Sequence, residues 1–351
     1  MRLLNVFAAV AVLSISLTSC LKEDALTTSP VGAPNFNQLP ASLGGGGGIN
    51  QQYTWSPIAD FPGAGRDAAI AFTLNGLGYA GLGHAYPNFF SDLYSYNPNA
   101  NVWTRLDTFP GGARRSATSF VLNDTVYVGL GYGRNYSAGR WEEFRDLWKY
   151  NAAADRWIQL NDVPFYSTES AQTFVIGSKA YAVLENGDVY DYEAETDTWT
   201  QRKELNESGI NSRGSAVSFA IGSRGYYGTG NDDGLSSLDS RLRDLYEYNP
   251  SSDTWTTLDS LPGAKRNNAV SFVINGFGVI GMGNDFFSNY ADFHYYRPDI
   301  KQWSRLNDYP GGPGSDLCAF VINNQAYVGL GYLDAGGFLG GQSNKFYRIS
   351  L

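Results

Sequence analysis

The sequence predicts an all-β chain, and three observations carry that prediction. One pattern of aromatic residues recurs six times at nearly fixed spacing. Turn-forming dipeptides stand at matching places between the recurring aromatics. Glycine is abundant, with 41 residues against only 2 methionines, a balance that suits strands and tight turns better than helix bundles.

The repeat is read from its tryptophans. Trp55, Trp103, Trp157, Trp199, Trp255 and Trp303 divide the chain into blocks of 48, 54, 42, 56 and 48 residues. Six residues after each Trp stands Phe61, Phe109, Val163, Leu205, Leu261 or Tyr309. Eleven more reach Phe72, Phe120, Phe174, Phe272 and Phe320, with fourteen to Phe219 in the fourth block. Seven more reach Tyr79, Tyr127, Tyr181, Tyr226, Val279 and Tyr327. An aromatic pair (Tyr94/Tyr96, Trp148/Tyr150, Tyr190/Tyr192, Tyr246/Tyr248, with His294/Tyr296 in the fifth block) precedes each next Trp by nine and seven. These distances fit four short strands per block. Strand a ends near the Phe, b carries Tyr-x-Gly-x-Gly, c holds the aromatic pair and d begins at the Trp. Asn75-Gly76 and Asn275-Gly276 suit tight a–b hairpins, and Asn97-Pro98 and Asn249-Pro250 suit the c–d turn. Glycines in b are expected to let neighbouring sheets pack closely.

With its Gly pair (Gly129 and Gly131, for instance), aromatic pair and Trp, residues 51–351 resemble the kelch repeat family. The resemblance implies a β-propeller of four-stranded blades. The chain departs from that pattern in using Gly-x-Gly where kelch repeats commonly show adjacent glycines, and the third block reads Val183-Leu184-Glu185 instead. After Trp303 the sixth block has a, b and c but no further Trp, so its d strand is expected from Gln51 to Pro57. The expectation is therefore a six-bladed kelch-type β-propeller, its ring closed by an N-terminal outer strand, which leaves no free edge.

The N-terminus reads as an address. Residues 1–19 have a charged start at Arg2, an apolar run from Leu3 to Leu17 and small residues before Cys20, as a secretory signal does. Leu17-Thr18-Ser19-Cys20 resembles the bacterial lipobox, which implies lipidation at Cys20 and a membrane anchor. Leu21-Lys22-Glu23-Asp24 is similar to the acidic signal that sends some lipoproteins to the outer surface, with a periplasmic orientation as the alternative. Residues 20–50, with five consecutive glycines at 44–48, read as a flexible linker reaching about 30 Å.

Composition narrows the function classes. Charged residues make up 17% and aromatics 15%, the profile of an ordered globular chain. The net charge of −9 excludes a partner bound through phosphate contacts, so no nucleic acid is expected. Cys318, in an apolar run, is expected to be a small buried hydrophobe. His84 and His294 do not make a metal set, and no catalytic triad emerges, so no cofactor or metal is expected. Galactose oxidase shares the kelch fold, but its copper-radical site needs ligands that this chain lacks.

Freedom in the repeat is concentrated in the b–c loops, which span 15, 21, 9, 20, 15 and 20 residues between their flanking aromatics. The d–a and b–c loops share one face, where binding residues are expected. These loops carry Tyr86, Phe89, Phe90, Tyr132, Tyr136, Trp141, Phe144, Phe286, Phe287, Tyr290 and Phe338, which suit sugar stacking, protein contact or simple loop packing. Arg66, Arg114, Arg213 and Arg266 stand at equivalent places, with Thr168 and Gly314 in the remaining two blocks. They would either ring a channel mouth for an anionic ligand or tie neighbouring loops together. The short third loop between two long ones suggests a notch. Its walls would be Tyr136 and Trp141 against Asp232 and Asp233, its floor Phe165, Tyr166 and Glu169, with Arg114 and Arg213 at the inner end. Alternatively the long loops fold over and fill it. The expected function is a lipid-anchored binding domain for a glycan or protein partner. The alternative is an enzyme analogous to kelch mutarotases acting on acidic sugars, which a convergent Arg and two carboxylates at the channel mouth would favour.

Overall fold

The computed structural model describes residues 53–135, 139–152, 154–166, 168–232, 240–334 and 340–350. The leader, Cys20 and the linker lie outside them, as do Tyr136, Asp233 and Phe338.

The described chain is all-β apart from one 3-10 turn at Asn206–Ser208. It forms six four-stranded antiparallel sheets, five of them built from strands that follow one another along the chain, with two three-stranded sheets and one two-stranded sheet beside them. The first sheet comprises Ile70–Leu74, Leu77–Gly81, Leu93–Asn97 and Val102–Arg105. The sixth comprises Cys318–Ile322, Gln325–Gly329 and Phe346–Ser350, and its outer strand is Thr54–Pro57, which places Trp55 opposite Ile349. The recurring tryptophans thus occupy outer strands, where the spacing put them. The first strand of every sheet packs against the first strands of two other sheets, and Ile70–Leu74 lies between Thr118–Leu122 and Cys318–Ile322.

Within each sheet the repeat residues have one job each. Strand-a Phe stacks on strand-b Tyr, as Phe72 on Tyr79 at 4.8 Å and Phe320 on Tyr327 at 5.0 Å. The second aromatic of c packs beside the Trp of d, as Tyr150 beside Trp157 at 4.8 Å. These rings are the core between sheets, where each aromatic buries a large area at low entropic cost. The hairpin residues Asn75 and Gly76 both have positive φ, 52° and 75°, as a tight primed turn requires.

The paired glycines of strand b have a different reason from the close sheet packing expected of them. A Cβ on Gly81 or Gly129 would overlap the carbonyl oxygen of Asp92 or Asp146 at the start of c in the same sheet. The second glycine of each pair is left-handed (φ 85° at Gly83) and donates its N–H to the following sheet. Close approach between sheets falls to other glycines of the same b strands, Gly78 and Gly278, where a Cβ would strike Phe320 or Phe219.

Candidate functional site at the cavity mouth

The four repeated arginines organise the loop face. Arg66, Arg114 and Arg266 are fully buried and Arg213 nearly so. In each the Nε donates to the carbonyl two residues back, as Arg266 to Ala264 at 3.0 Å. The Nη1 donates to the carbonyl between the paired glycines, as Arg114 to Leu130 at 3.0 Å. The guanidinium also holds the Asp that precedes strand c: Arg66 with Asp92, Arg114 with Asp146, Arg213 with Asp244 and Arg266 with Asp292. That Asp is shared with the first ring of c, through Trp148 Nε1 at 2.7 Å, Tyr246 OH at 3.0 Å or His294 Nε2 at 2.9 Å. Burial opposes ionisation of Asp292, yet His294 and Arg266 hold its carboxyl well below the usual carboxylate range. An aromatic from the b–c loop covers the guanidinium, Phe90 at 4.0 Å over Arg66 and Phe144 at 3.9 Å over Arg114. The arginine carbonyl is itself stitched to the preceding sheet: Gly83 N donates to Arg114 O and Gly331 N to Arg66 O. This geometry is the loop-tying role. In Arg66, Arg114 and Arg266 all three guanidinium nitrogens donate inside the protein.

Thr168 takes over in the third block, its hydroxyl donating to Phe144 O at 2.7 Å. In the sixth block Gly314 replaces the Arg and Lys345 stands where the Asp would be, so the charge pair is absent as a unit.

The first strands enclose a cavity of about 270 Å³, lined by four residues from each sheet, beginning at Ala68, Ser116, Ser170, Ser215, Asn268 and Asp316. All six of these have positive φ, from 48° to 59°. Four hydrogen bonds link five of them in an open arc from Ser215 to Ser116: Ala68 N to Asp316 O, Ser116 N to Ala68 O, Asn268 N to Ser215 O and Asp316 N to Asn268 O. The preceding residues, Asp67, Arg115 and Glu169 among them, form a collar at this mouth. Asp67 pairs with His84 Nδ1 and accepts from Gln342 Nε2 at 3.2 Å. Arg115 pairs with Glu169 at 2.9 Å. Asp316 is the one charged residue lining the cavity. Burial and the nearby Asp67 raise its carboxyl to about 7, against the opposing pull of Ser315, His84 and Arg115.

An aromatic ledge connects these two polar pairs. Phe89 lies 5.4 Å from His84 and 4.9 Å from Trp141. Trp141 stacks on Tyr132 at 6.0 Å and 9°, and Arg115 sits 5.4 Å from the Tyr132 ring centre. Trp141 is 48% exposed, so one face remains open. The arc Asp67–His84–Phe89–Trp141–Tyr132–Arg115–Glu169 therefore runs along the mouth from the first block to the third. It offers ring faces beside planar polar groups, a combination that binds polyols and ring-bearing ligands.

The expected notch is not assembled as drawn. Trp141 leans toward Phe89 of the first block, because the hairpin Tyr132–Asn135 with Arg140–Glu143 pairs with Arg114–Arg115. Phe165 is core, packed on Tyr190 at 4.6 Å and Trp199 at 5.2 Å. Arg114 and Arg213 are buried ties. Asp232 is buried and accepts from Asn211 Nδ2 at 2.7 Å. Glu169 faces Arg115 instead of a notch, and Tyr166 is 72% exposed. Asp67, His84 and Arg115 were missed. The available signal was their position beside the repeated arginine and after the Gly pair, where the residue type changes from block to block. Among the described residues no three His, Cys, Asp or Glu side chains gather as metal ligands.

An all-β array of four-stranded sheets around a polar cavity defines a propeller-like protein. The solved structure of YjhT matches over 82% of this chain and 95% of that one, with a TM-score of 0.67 and 19% identity, a likeness of fold. No family model matches the sequence, and no curated protein does either.

Proposed function

We propose that the chain is a six-bladed, kelch-type propeller, lipid-anchored through Cys20 at the outer membrane and facing the cell surface, that binds a glycan at the cavity mouth without transforming it. Closure of the ring is supported by the cycle of contacts among first strands, the Gly331-to-Arg66 hydrogen bond and the pairing of Thr54–Pro57 with Phe346–Ser350. The observation that carries the binding role is the half-open Trp141 ring fixed between Phe89 and Tyr132 beside the Asp67–His84 contact and the Arg115–Glu169 ion pair. A preorganised ring loses little freedom on stacking with a sugar face. On a glycan array, Trp141→Ala should lose the signals of the native chain at unchanged melting temperature. Retention of every signal would refute the assignment. For the address, Cys20→Ser should abolish incorporation of radiolabelled palmitate, and persistent label would overturn the anchor.

A second reading has its own support. Arg115 with Asp67, Glu169 and Asp316 around one mouth is the constellation that acid–base work on an acidic sugar needs, and a carboxyl near 7 can give or take a proton at neutral pH. If the protein interconverts anomers of acidic sugars, NMR exchange spectroscopy will show it, and Asp316→Asn will slow it. No exchange above background for any acidic sugar would dismiss the enzyme.

A further inference from the structure

Away from the mouth, a second concavity of about 1020 Å³ opens between the second block's hairpin and the entry to the third sheet. It does not depend on the mouth reading. Three aromatic side chains line it: Phe144 lies 3.9 Å from the Arg114 guanidinium, and the other two are each held in place as well. Trp148, half-buried, donates its indole N–H to Asp146 Oδ2 at 2.7 Å. Tyr166 lies 4.4 Å from the Arg145 guanidinium, whose Nε and Nη2 donate to Val163 O at 3.1 and 2.5 Å. Gln159 and Asp162 line the same groove and are exposed. Across the strand pair Gln159 stands opposite Trp148, so an amide and an indole present themselves together.

The lining selects a ligand class. Pro110 is its only aliphatic side chain, so it lacks the apolar pockets that anchor a protein partner. Arg134, Arg140 and Arg145 are matched by Glu142, Glu143, Asp146 and Asp162, so no net positive field favours phosphate or a carboxylated ligand. Fixed ring faces with an amide and a carboxylate at their edge match the stacked C–H face and vicinal hydroxyls of an uncharged sugar. The volume is at the upper end of the range for small-ligand sites, about 300–1,000 Å³. We propose that this groove is a binding site for a neutral oligosaccharide, with Tyr166 and Trp148 as platforms and Gln159 and Asp162 as hydroxyl partners.

The test uses calorimetric titration of the full chain with uncharged linear hexasaccharides of glucose, mannose and xylose, and with a hexamer of galacturonic acid. At least one neutral hexasaccharide should bind with a Kd of about 1 mM or tighter. Tyr166→Ala should weaken it about ten-fold, as loss of about 1.4 kcal/mol does, and Gln159→Ala should weaken it too. Trp141→Ala should leave this binding unchanged while removing any ligand of the mouth, so the two sites fail separately. Tyr166 is 72% exposed, so its variant should keep the native melting temperature. The proposal is overturned if no neutral hexasaccharide binds, if Tyr166→Ala has no effect, or if only the acidic hexamer binds.

Discussion

Removing one carboxylate, Asp292→Ala, tests whether the repeated arginine is a structural tie. Arg266 is fully buried and gives Asp292 two hydrogen bonds, at 2.8 and 2.9 Å. The variant leaves a guanidinium enclosed by protein with only the carbonyls of Ala264 and Met282 for partners. Breaking a buried pair from one side costs about 3–5 kcal/mol, because the remaining charge is uncompensated. At about 2 °C per kcal/mol, suited to a unit of this size, the melting temperature should fall by about 6–10 °C. Differential scanning calorimetry reads this directly. The double variant Arg266→Leu/Asp292→Leu should recover part of the loss, since it removes the orphaned charge. The pH dependence has a defined sign. Asp292 is more acidic when folded, so its contribution is complete above its unfolded value of about 4 and fades as pH falls toward the folded one. A shift below about 1 °C for Asp292→Ala, with ligand binding abolished instead, would refute the tie and restore the arginine as a ligand group.

Three further outcomes are expected. Trp55→Ala should destabilise the sixth sheet by about 2–3 kcal/mol, at or below the usual core range because the ring is partly exposed; Trp55 packs on Phe293 at 5.3 Å and Tyr309 at 5.4 Å, and equal urea midpoints for variant and native chain would contradict its role there. Cys318, buried with its thiol pushed up to about 12, should resist an aromatic disulfide reagent at pH 8 until denaturant is added, and rapid native labelling would show an open seam. Asp316 is raised to about 7 when folded, so its ionisation costs stability as pH rises from about 4 to 7. Asp316→Asn should flatten that part of the stability curve, and an unchanged slope would mean that the carboxyl titrates normally.

Much of the fold was legible because a repeat states its rule six times. The Trp, Phe and Tyr spacings located the strands, since the period-2 geometry of a short strand fixes how far apart its packing rings can stand. The lack of a Trp after the sixth block pointed to Gln51–Pro57, and the chain pairs Thr54–Pro57 with Phe346–Ser350. The arginine ties were also readable in part. Arg and Asp occur together in four blocks, at separations of 26 or 31 to 32 residues, and the sixth block has neither.

The candidate site was less legible, and the reason is physical. Its residues, Asp67, His84, Arg115 and Glu169, come from three different blocks and meet only where the first strands converge. Sequence placed Trp141 in a long loop but could not say which neighbour it would lean on. That was decided when Tyr132–Asn135, paired with Arg140–Glu143, also paired with Arg114–Arg115 and carried the ring toward Phe89. Phe165 and Tyr166 are adjacent in sequence, yet one packs on Trp199 and the other faces solvent. The sequence by itself determined the strands, the repeat and the shared loop face, because those follow from local spacing. Tertiary structure decided which loop residues are core, which are ties and which are left open, because that depends on side chains brought together from separate sheets.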